Sequence, residues 1–220
     1  MPATVASATP AVGCVVGIGD PDPRVAGDGF ARLRAAGIAV IDGVLSEEAG
    51  DVTAPFLSRV LHGRPLFTAK LATSQDGRIA THGGESKWIT GEAARTRTHL
   101  LRATHDAVMV GSATAMTDNP ELTCRLPGFD AQPRVRVVVD GHLRLSLTSM
   151  LVRSAAAIPT WLLVRADAPA ERAKACRDAG VKVIALPPGA DGHIDLAAAE
   201  RTSMEAVSYT HLTLPTNREV

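Results

Sequence analysis

Two segments contain the residues whose types and spacing could do chemistry. Residues 70–91 read KLATSQDGRIATHGGESKWITG, and residues 110–120 read VGSATAMTDNP. In each, small and polar residues follow an apolar run that is typical of a strand. In α/β enzymes, the loops at the carboxyl ends of strands carry the binding and catalytic groups. The sequence therefore predicts a site built from these two loops.

The first segment offers several candidate ligands. Lys70 lies near the end of the predicted strand, and residues 74–78, Ser-Gln-Asp-Gly-Arg, predict a tight turn because glycine tolerates positive φ. Gly83 and Gly84 let a ligand approach the backbone, and Trp88 offers a flat ring and one hydrogen-bond donor. These residues alone leave two alternatives open: residues 74–78 could be an ordinary connection between elements, and Trp88 could be a core residue.

The second segment is suited to an anion. Residues 111–114, Gly-Ser-Ala-Thr, open a predicted helix, whose free amides suit a dinucleotide phosphate. A plain connection fits equally well, and no GxGxxG or GxxxxGK[ST] pattern is present. His99 and His105 fall near one predicted helix and are expected at the surface. A guanidinium fork fits phosphate oxygens, and four arginines are candidate phosphate ligands: Arg102, Arg125, Arg134 and Arg136.

The composition narrows the class of protein. Of the 220 residues, 45% are hydrophobic but only 3% are aromatic, so the core must be aliphatic. The 23 basic and 23 acidic residues cancel, which argues against a broad surface for nucleic acid or membrane. Cys14, Cys124 and Cys176 are far apart, which argues against a disulfide framework or a cysteine-rich zinc site. With neither a secretory signal nor a long apolar run, we predict a soluble cytoplasmic protein.

The apolar periodicity predicts two domains that meet at residues 62–65, His-Gly-Arg-Pro. The first, 1–62, has a βαβα pattern with a buried strand at 12–18 and a second strand at 38–41. Its helices are predicted at 27–36 and from an N-cap at Ser46 to about residue 61. The second domain, 63–206, has predicted strands at 66–72, 106–110, 135–139, 160–164 and 181–186, and helices at 91–104 with Thr90 as cap, 112–117, 169–179 and from 195. Alternating strands and helices predict an α/β fold with parallel strands.

The last residues are unusual. Residues 207–220 read VSYTHLTLPTNREV, contain the only tyrosine and differ from the alanine-rich segment before them. The string resembles a translated sequencing adapter. We therefore predict that 207–220 is a non-native tail.

Several blocks in fixed order resemble one enzyme family. KLATSQDGRIATHGGESKWITG, LLRATHDAVMVGSATAMTDNPELTCR and VRVVVDGHLRL are similar to the reductase half of the bifunctional riboflavin-biosynthesis deaminase/reductases of bacteria. The resemblance spans about residues 13–199 and implies a dihydrofolate-reductase-like α/β fold. It also implies NADPH-dependent reduction of the ribosyl group of 5-amino-6-(5-phosphoribosylamino)uracil to the ribitylamino product. The implied partner is this phosphorylated pyrimidine; association into a homo-oligomer is left open.

The resemblance also implies site residues, position by position. NADP contacts are implied at Ala72, Trp88, Thr114 and Asp118, and Gly141 occupies a cofactor position at which some relatives carry serine. Substrate contacts are implied at Ser86, Arg102, Leu122 and Arg125. We assign the proton transfer that assists ring opening to Lys70.

The first domain resembles only the tail of the family's cytidine-deaminase-like domain. Residues 14–45 carry this similarity, notably the Asp-Pro-Asp-Pro block at 20–23. A zinc deaminase needs an H-x-E and a P-C-x-x-C type element, and the sequence has neither. We therefore expect no metal and no deamination from this chain, although the intact family protein would have both.

Two departures and two alternatives accompany this hypothesis. Asn119 replaces the second aspartate of an Asp-Asp-Pro pattern, and nothing in residues 187–220 matches the family's Val-Glu-Gly-Gly segment, which binds NADP. We therefore expect the reductase domain to be C-terminally incomplete and its sheet to lose strands. One alternative is an inactive, truncated remnant that binds nucleotide or associates with full-length subunits. The other is a pyrimidine deaminase, which the missing zinc ligands disfavour.

Overall fold

The computed structural model describes residues 13–25, 27–85, 89–129, 135–195, 197–199, 201–202 and 211–215. The chain divides into two compact units between Gly63 and Arg64.

The described residues of the first unit form two strands and two helices, as predicted. They are β1 (Gly13–Val15), α1 (Asp28–Ala35), β2 (Ala39–Ile41) and α2 (Ser46–His62), and β1 pairs with β2 in parallel. The expectation of a buried first strand is wrong, because Val15 is 64% exposed and Ile41 on β2 is 58% exposed. A sheet of two strands has too few neighbouring elements to enclose either strand.

Two predicted helix caps are also wrong. α2 begins at Ser46 itself, with Leu45 in the N-cap position and no capping side chain. The helix after residue 90 is capped by Gly91, again without a side-chain hydrogen bond, instead of by Thr90. Helix ends commonly shift by one or two residues because several residues near an end can supply the first turn. The elements themselves keep their predicted type.

The second unit is built around a parallel sheet. Along the chain it contains β3 (Leu66–Lys70), α3 (Glu92–Thr104), β4 (Ala107–Gly111), α4 (Ser112–Asp118), β5 (Val135–Val139), α5 (Met150–Arg153), β6 (Thr160–Arg165), α6 (Ala170–Asp178), β7 (Lys182–Leu186) and β8 (His211–Pro215). The strand order is β3-β8-β4-β5-β6-β7, and every pair is parallel. Parallel pairing places the carboxyl ends of all these strands at one edge.

Apolar side chains cover both faces of this sheet. Successive residues of a strand point to opposite faces, so Val108 and Val110 join one core cluster while Ala107 and Met109 join another. Burial on both sides explains why β5 and β6 read as nearly continuous apolar runs. Each fully buried valine or leucine contributes about 1.5–3 kcal/mol through the hydrophobic effect.

Strand β8 lies within the segment predicted to be a non-native tail. It runs parallel to β3 over five residue pairs and also pairs with β4. The sequence analysis assigned no secondary structure to this segment, so β8 is an addition to the predicted elements. Backbone hydrogen bonds between strands carry little sequence information, so an extended segment of foreign sequence can occupy such a slot. The origin of residues 207–220 therefore stays a prediction.

Arg136 is a structural residue, and its prediction as a phosphate ligand is wrong. Its position in β5 points the side chain into the core, where the residue is fully buried. Burial lowers the pKa of its guanidinium to about 10, so the group stays charged at neutral pH. The two terminal nitrogens donate to five oxygens at 2.7–3.2 Å, namely Glu121 O, Ser154 Oγ, Leu151 O, Ile158 O and Thr160 Oγ1.

His105 is also buried, which contradicts the expectation that it lies at the surface. Only 7% of the residue is exposed. Its Nδ1 lies 2.7 Å from Leu101 O, and its Nε2 lies 2.9 Å from Thr68 Oγ1. A neutral ring that donates from Nδ1 and accepts from the threonine hydroxyl satisfies both contacts. The histidine thus links the end of α3 to β3.

Asn119 departs from the Asp-Asp-Pro pattern without losing a structural contact. It follows α4 with φ of 40°, in the left-handed region that asparagine tolerates better than most residues. Its Oδ1 accepts a 2.9 Å hydrogen bond from Met150 N, the first amide of α5. An aspartate oxygen could accept the same hydrogen bond, so the replacement preserves the link between α4 and α5.

We predict that Arg136→Leu lowers the free energy of unfolding by about 3 kcal/mol or more, because five oxygens lose a charged donor. Urea unfolding would measure the change. The matched control is Arg153→Leu on the surface of α5, which should shift stability by no more than about 0.5 kcal/mol. Equal unfolding midpoints for the two variants would contradict the structural role of Arg136.

We further predict that Asn119→Ala costs about 1–2 kcal/mol, since it removes the acceptor for Met150 N and strains the left-handed backbone. Asn119→Asp keeps an acceptor oxygen and should cost much less. Thermal unfolding of both variants checks this order, and a reversed order would show that the side-chain hydrogen bond is unimportant.

Candidate functional site

Lys70 lies at the carboxyl end of β3, where the sequence predicted it. The residue is half-buried, and burial lowers the pKa of its ammonium group. The positive charge of Arg102 lowers this pKa further, so the two side chains lie within electrostatic range. Ala72 follows two residues later and is also half-buried.

Arg102 extends from α3 to the segment after α4. Its Nη1 donates to Thr123 O at 3.1 Å. Burial lowers the pKa of its guanidinium, the charge of Arg125 lowers it further, and Cys124 opposes the shift. Arg102 is thus a largely desolvated cation beside a second one.

Arg125 is more exposed and forms weaker contacts. Its Nη1 lies 3.2 Å from Glu121 Oε2 and 3.3 Å from Thr123 Oγ1. The ion pair leaves about half of each side chain exposed, at 56% for the arginine and 45% for the glutamate. Such pairs contribute only about 0–1 kcal/mol. An incoming anion could therefore compete for the guanidinium at little cost.

Four basic residues form what we call the cationic cluster: Lys70, His99, Arg102 and Arg125. Burial lowers the pKa of His99, and the charges of Arg102 and Arg125 lower it further. Like charges held together are unfavourable unless an anion neutralises them. The cluster therefore suits a multiply charged anion such as a phosphate group, which guanidinium forks bind well.

Leu122 and Asp118 flank this region. The Leu122 side chain is 3% exposed and packs in the apolar core, and its backbone has φ of 58°. Only the backbone of Leu122 is therefore available to a ligand. Asp118 is the last residue of α4 and is exposed. These residues and the two arginines belong to α3, α4 and the segment after α4, so the predicted site is not confined to the strand ends.

A second group of predicted residues gathers where β4 and β5 end side by side. Gly111 ends β4 opposite Val139, and α4 begins immediately after it, with Thr114 in its first turn. Gly141 follows β5. A Cβ added at Gly141 would meet Arg165 and Ile194 carbons at 3.4–3.6 Å, which is ordinary contact. The small residues at this edge fit a dinucleotide cofactor.

Sequence reasoning missed two residues beside this edge. Arg144 donates from Nη2 to Ser112 Oγ at 3.0 Å, so a cation lies near the start of α4. Asp140 is fully buried, and its Oδ2 accepts Leu145 N at 2.7 Å, which shapes the turn that presents Arg144. The Asp-Gly pair directly after the apolar run of β5 was the signal that could have revealed this turn.

The loop after β3 contains the predicted tight turn. Gly77 has φ of 79° and donates to Ser74 O at 3.0 Å, which confirms the prediction for the Asp-Gly pair. An open cleft of about 940 Å³ is lined by described residues between Ser74 and Ile89, including Asp76 and Arg78. The predicted ligands Ser86 and Trp88 lie outside the described residues, as does Arg134.

The described part of the chain offers neither a metal cluster nor a membrane-spanning helix. No group of three or more histidine, cysteine, aspartate or glutamate side chains there could hold a metal ion. No helix among these residues is long and apolar enough to cross a bilayer.

Comparison with known proteins gives consistent matches. The family profile described as "RibD C-terminal domain" matches residues 65–203. The "Riboflavin biosynthesis protein RibD" of Bacillus amyloliquefaciens is 40% identical over 171 residues, covering 78% of this chain and 46% of that protein. The chain therefore spans about half the length of the curated relatives that it matches.

Solved structures agree with this match. A deaminase/5-amino-6-(5-phosphoribosylamino)uracil reductase of Thermotoga maritima has a TM-score of 0.75 at 30% identity, covering 94% of this chain and 54% of that one. The yeast riboflavin biosynthesis reductase Rib7 has a TM-score of 0.52 at 20% identity, covering 76% and 72%, and shows the fold alone. These likenesses confirm the predicted dihydrofolate-reductase-like α/β fold and, with the matched profile, show that the chain belongs to the RibD C-terminal domain family.

Proposed function

We propose that this chain is the reductase part of a riboflavin-biosynthesis enzyme. The proposed reaction is the NADPH-dependent reduction of the ribosyl group of 5-amino-6-(5-phosphoribosylamino)uracil to the ribitylamino product, in the cytoplasm. The family membership supports the class of reaction. The observation that carries the proposal is the cationic cluster, whose charges match a phosphorylated substrate.

The phosphate of the substrate is proposed to bind Arg102 and Arg125. Arg102 is fixed by its hydrogen bond to Thr123 O, whereas the exposed Arg125 has a surface ion pair with Glu121 and a 3.3 Å contact with Thr123 Oγ1. The preorganised guanidinium of Arg102 and the more mobile guanidinium of Arg125 can bind one phosphate group together. Leu122 lies three residues before Arg125, and because its side chain is buried the proposed substrate contact is made through its main-chain atoms alone.

Lys70 is proposed to move the proton that ring opening requires. Burial and the neighbouring Arg102 both lower the pKa of its ammonium group. An ammonium group with a lowered pKa gives up its proton more readily than a free lysine does. A bound phosphate would neutralise part of the Arg102 field and so raise the pKa of Lys70 again.

The nicotinamide cofactor is proposed to bind where β4 and β5 end. Ala72, Thr114, Asp118 and Gly141 are the candidates among the described residues, and Trp88 completes the predicted set. When bound, the cofactor supplies the hydride. The protein's share of catalysis is to hold the two ligands in reacting orientation and to exclude water.

A direct assay tests this proposal. Purified chain is mixed with NADPH and the deaminated pyrimidine, and loss of NADPH absorbance is followed. Substrate-dependent oxidation supports the reductase; its absence contradicts it for this chain. Binding of NADPH without turnover would favour the second candidate, an inactive remnant, for which the matched region ending at residue 203 is the specific observation.

We predict that Arg125→Ala weakens substrate binding by about 2–3 kcal/mol, equivalent to a roughly 30- to 150-fold higher KM, because a charge-assisted hydrogen bond to phosphate is lost. The matched control is Arg97→Ala, an exposed arginine on α3. Steady-state kinetics with both variants measures the effect. An unchanged KM in Arg125→Ala would remove Arg125 from the substrate site.

We predict that Gly141→Ser lowers the Kd for NADPH about three- to tenfold. A Cβ at this position makes only ordinary contacts, and the serine hydroxyl can add one hydrogen bond to the cofactor. Gly141→Ala adds the same Cβ without the hydroxyl and should leave the Kd unchanged. Fluorescence titration with NADPH compares the two. Weaker binding in both variants would place Gly141 against the cofactor too closely for any side chain.

A further inference from the structure

His99 belongs to the cationic cluster but has no assigned contact with substrate or cofactor. It lies on α3 one turn before Arg102, and both side chains contact the segment 121–125. The ring is half-buried. The charged groups whose fields reach it are Arg102 on its own helix and Arg125 on the facing segment.

The contacts of His99 offer its Nδ1 two opposite partners. Nδ1 lies 3.2 Å from Arg125 N, which is a donor, and 3.3 Å from Thr123 O, which is an acceptor. A nitrogen without a proton can accept from the amide of Arg125, and a nitrogen with a proton can donate to the carbonyl of Thr123. It cannot do both at once. The neutral ring can adopt either arrangement, depending on which nitrogen carries its proton, whereas the protonated ring always has a proton on Nδ1 and can only donate to Thr123 O.

We propose that His99 is a proton-dependent positioning residue of the anion site: neutral, it holds the backbone of Arg125, and protonated, it releases that amide toward the anion and adds a positive charge. This inference rests on the proposed function, since it assumes that the cationic cluster binds the substrate phosphate. It adds a residue that the family resemblance did not assign.

The direction of the pH effect follows from the charges. Burial, Arg102 and Arg125 lower the pKa of His99, so the free site favours the neutral ring. An anion that neutralises the two arginines raises this pKa again, and binding then takes up a proton. By linkage, the same anion binds more tightly as the pH falls through the pKa of His99.

Sulfate is the probe that isolates this effect, because it stays a dianion where phosphate itself titrates. Its affinity for the full chain is measured by calorimetry between about pH 5.5 and about pH 8, the range in which histidine changes charge. We expect the wild type to bind sulfate about fivefold more tightly at the lower pH, the gain from one added partly exposed charge.

The variant His99→Asn separates the two roles of the ring. The amide oxygen of the introduced side chain replaces Nδ1 as an acceptor for Arg125 N, but the amide cannot become charged. His99→Asn should match the wild type at the upper pH and lose the rise at the lower pH, whereas His99→Leu should bind more weakly at every pH. His193→Asn, at an exposed histidine elsewhere, should keep the wild-type profile.

The experiment distinguishes a wrong role for His99 from a wrong assignment of the anion site. If His99→Asn keeps the wild-type pH dependence, the inference about His99 is wrong. If Arg125→Ala binds sulfate as tightly as the wild type at every pH, or the wild type binds none, the cationic cluster is not an anion site and the proposed substrate contacts fail with it.

Discussion

The buried guanidinium of Arg136 connects the core to the candidate site. From β5 it reaches β6, the end of α5 and the carbonyl of Glu121, where the segment carrying Arg125 begins. A cation inside an apolar layer is unfavourable unless its donors are satisfied, so the surrounding carbonyls must converge on it. The same hydrogen bonds fix the point at which the segment 121–125 leaves the core. They thereby fix the position of Thr123 O, which accepts the hydrogen bond from Arg102.

The cationic cluster has the opposite character. Its members repel one another, and burial adds to the cost of their charges, as the lowered pKa values of Lys70 and Arg102 indicate. Sites that are unfavourable when empty gain stability when their ligand binds, because the ligand stabilises only the folded chain. A phosphorylated ligand bound to the cationic cluster would therefore stabilise the folded domain.

The sequence predicted the elements of the sheet well, because buried parallel strands read as continuous apolar runs such as residues 135–139. The sequence also predicted the Asp-Gly turn at Gly77 and the class of fold. The sequence failed where tertiary contacts decide the role of a residue. Arg136 was predicted as a phosphate ligand because its burial cannot be read from the sequence. His105 was predicted at the surface because its contact with Thr68 joins distant parts of the chain. The roles predicted for Ser86 and Trp88 stay predictions, as does the origin of residues 207–220.

The position of β8 has a consequence for how this fold is reached. It lies between β3, which ends at Lys70, and β4, which ends at Gly111, although it begins only at His211. Strands β3 and β4 are synthesised before β8. Backbone hydrogen bonds cannot connect them through β8 until residues 211–215 have been synthesised. Contacts between such distant parts of a chain are slow to form. Assembly of the sheet should therefore end at its interior, and the edges of β3 and β4 stay open to other extended peptides in the meantime.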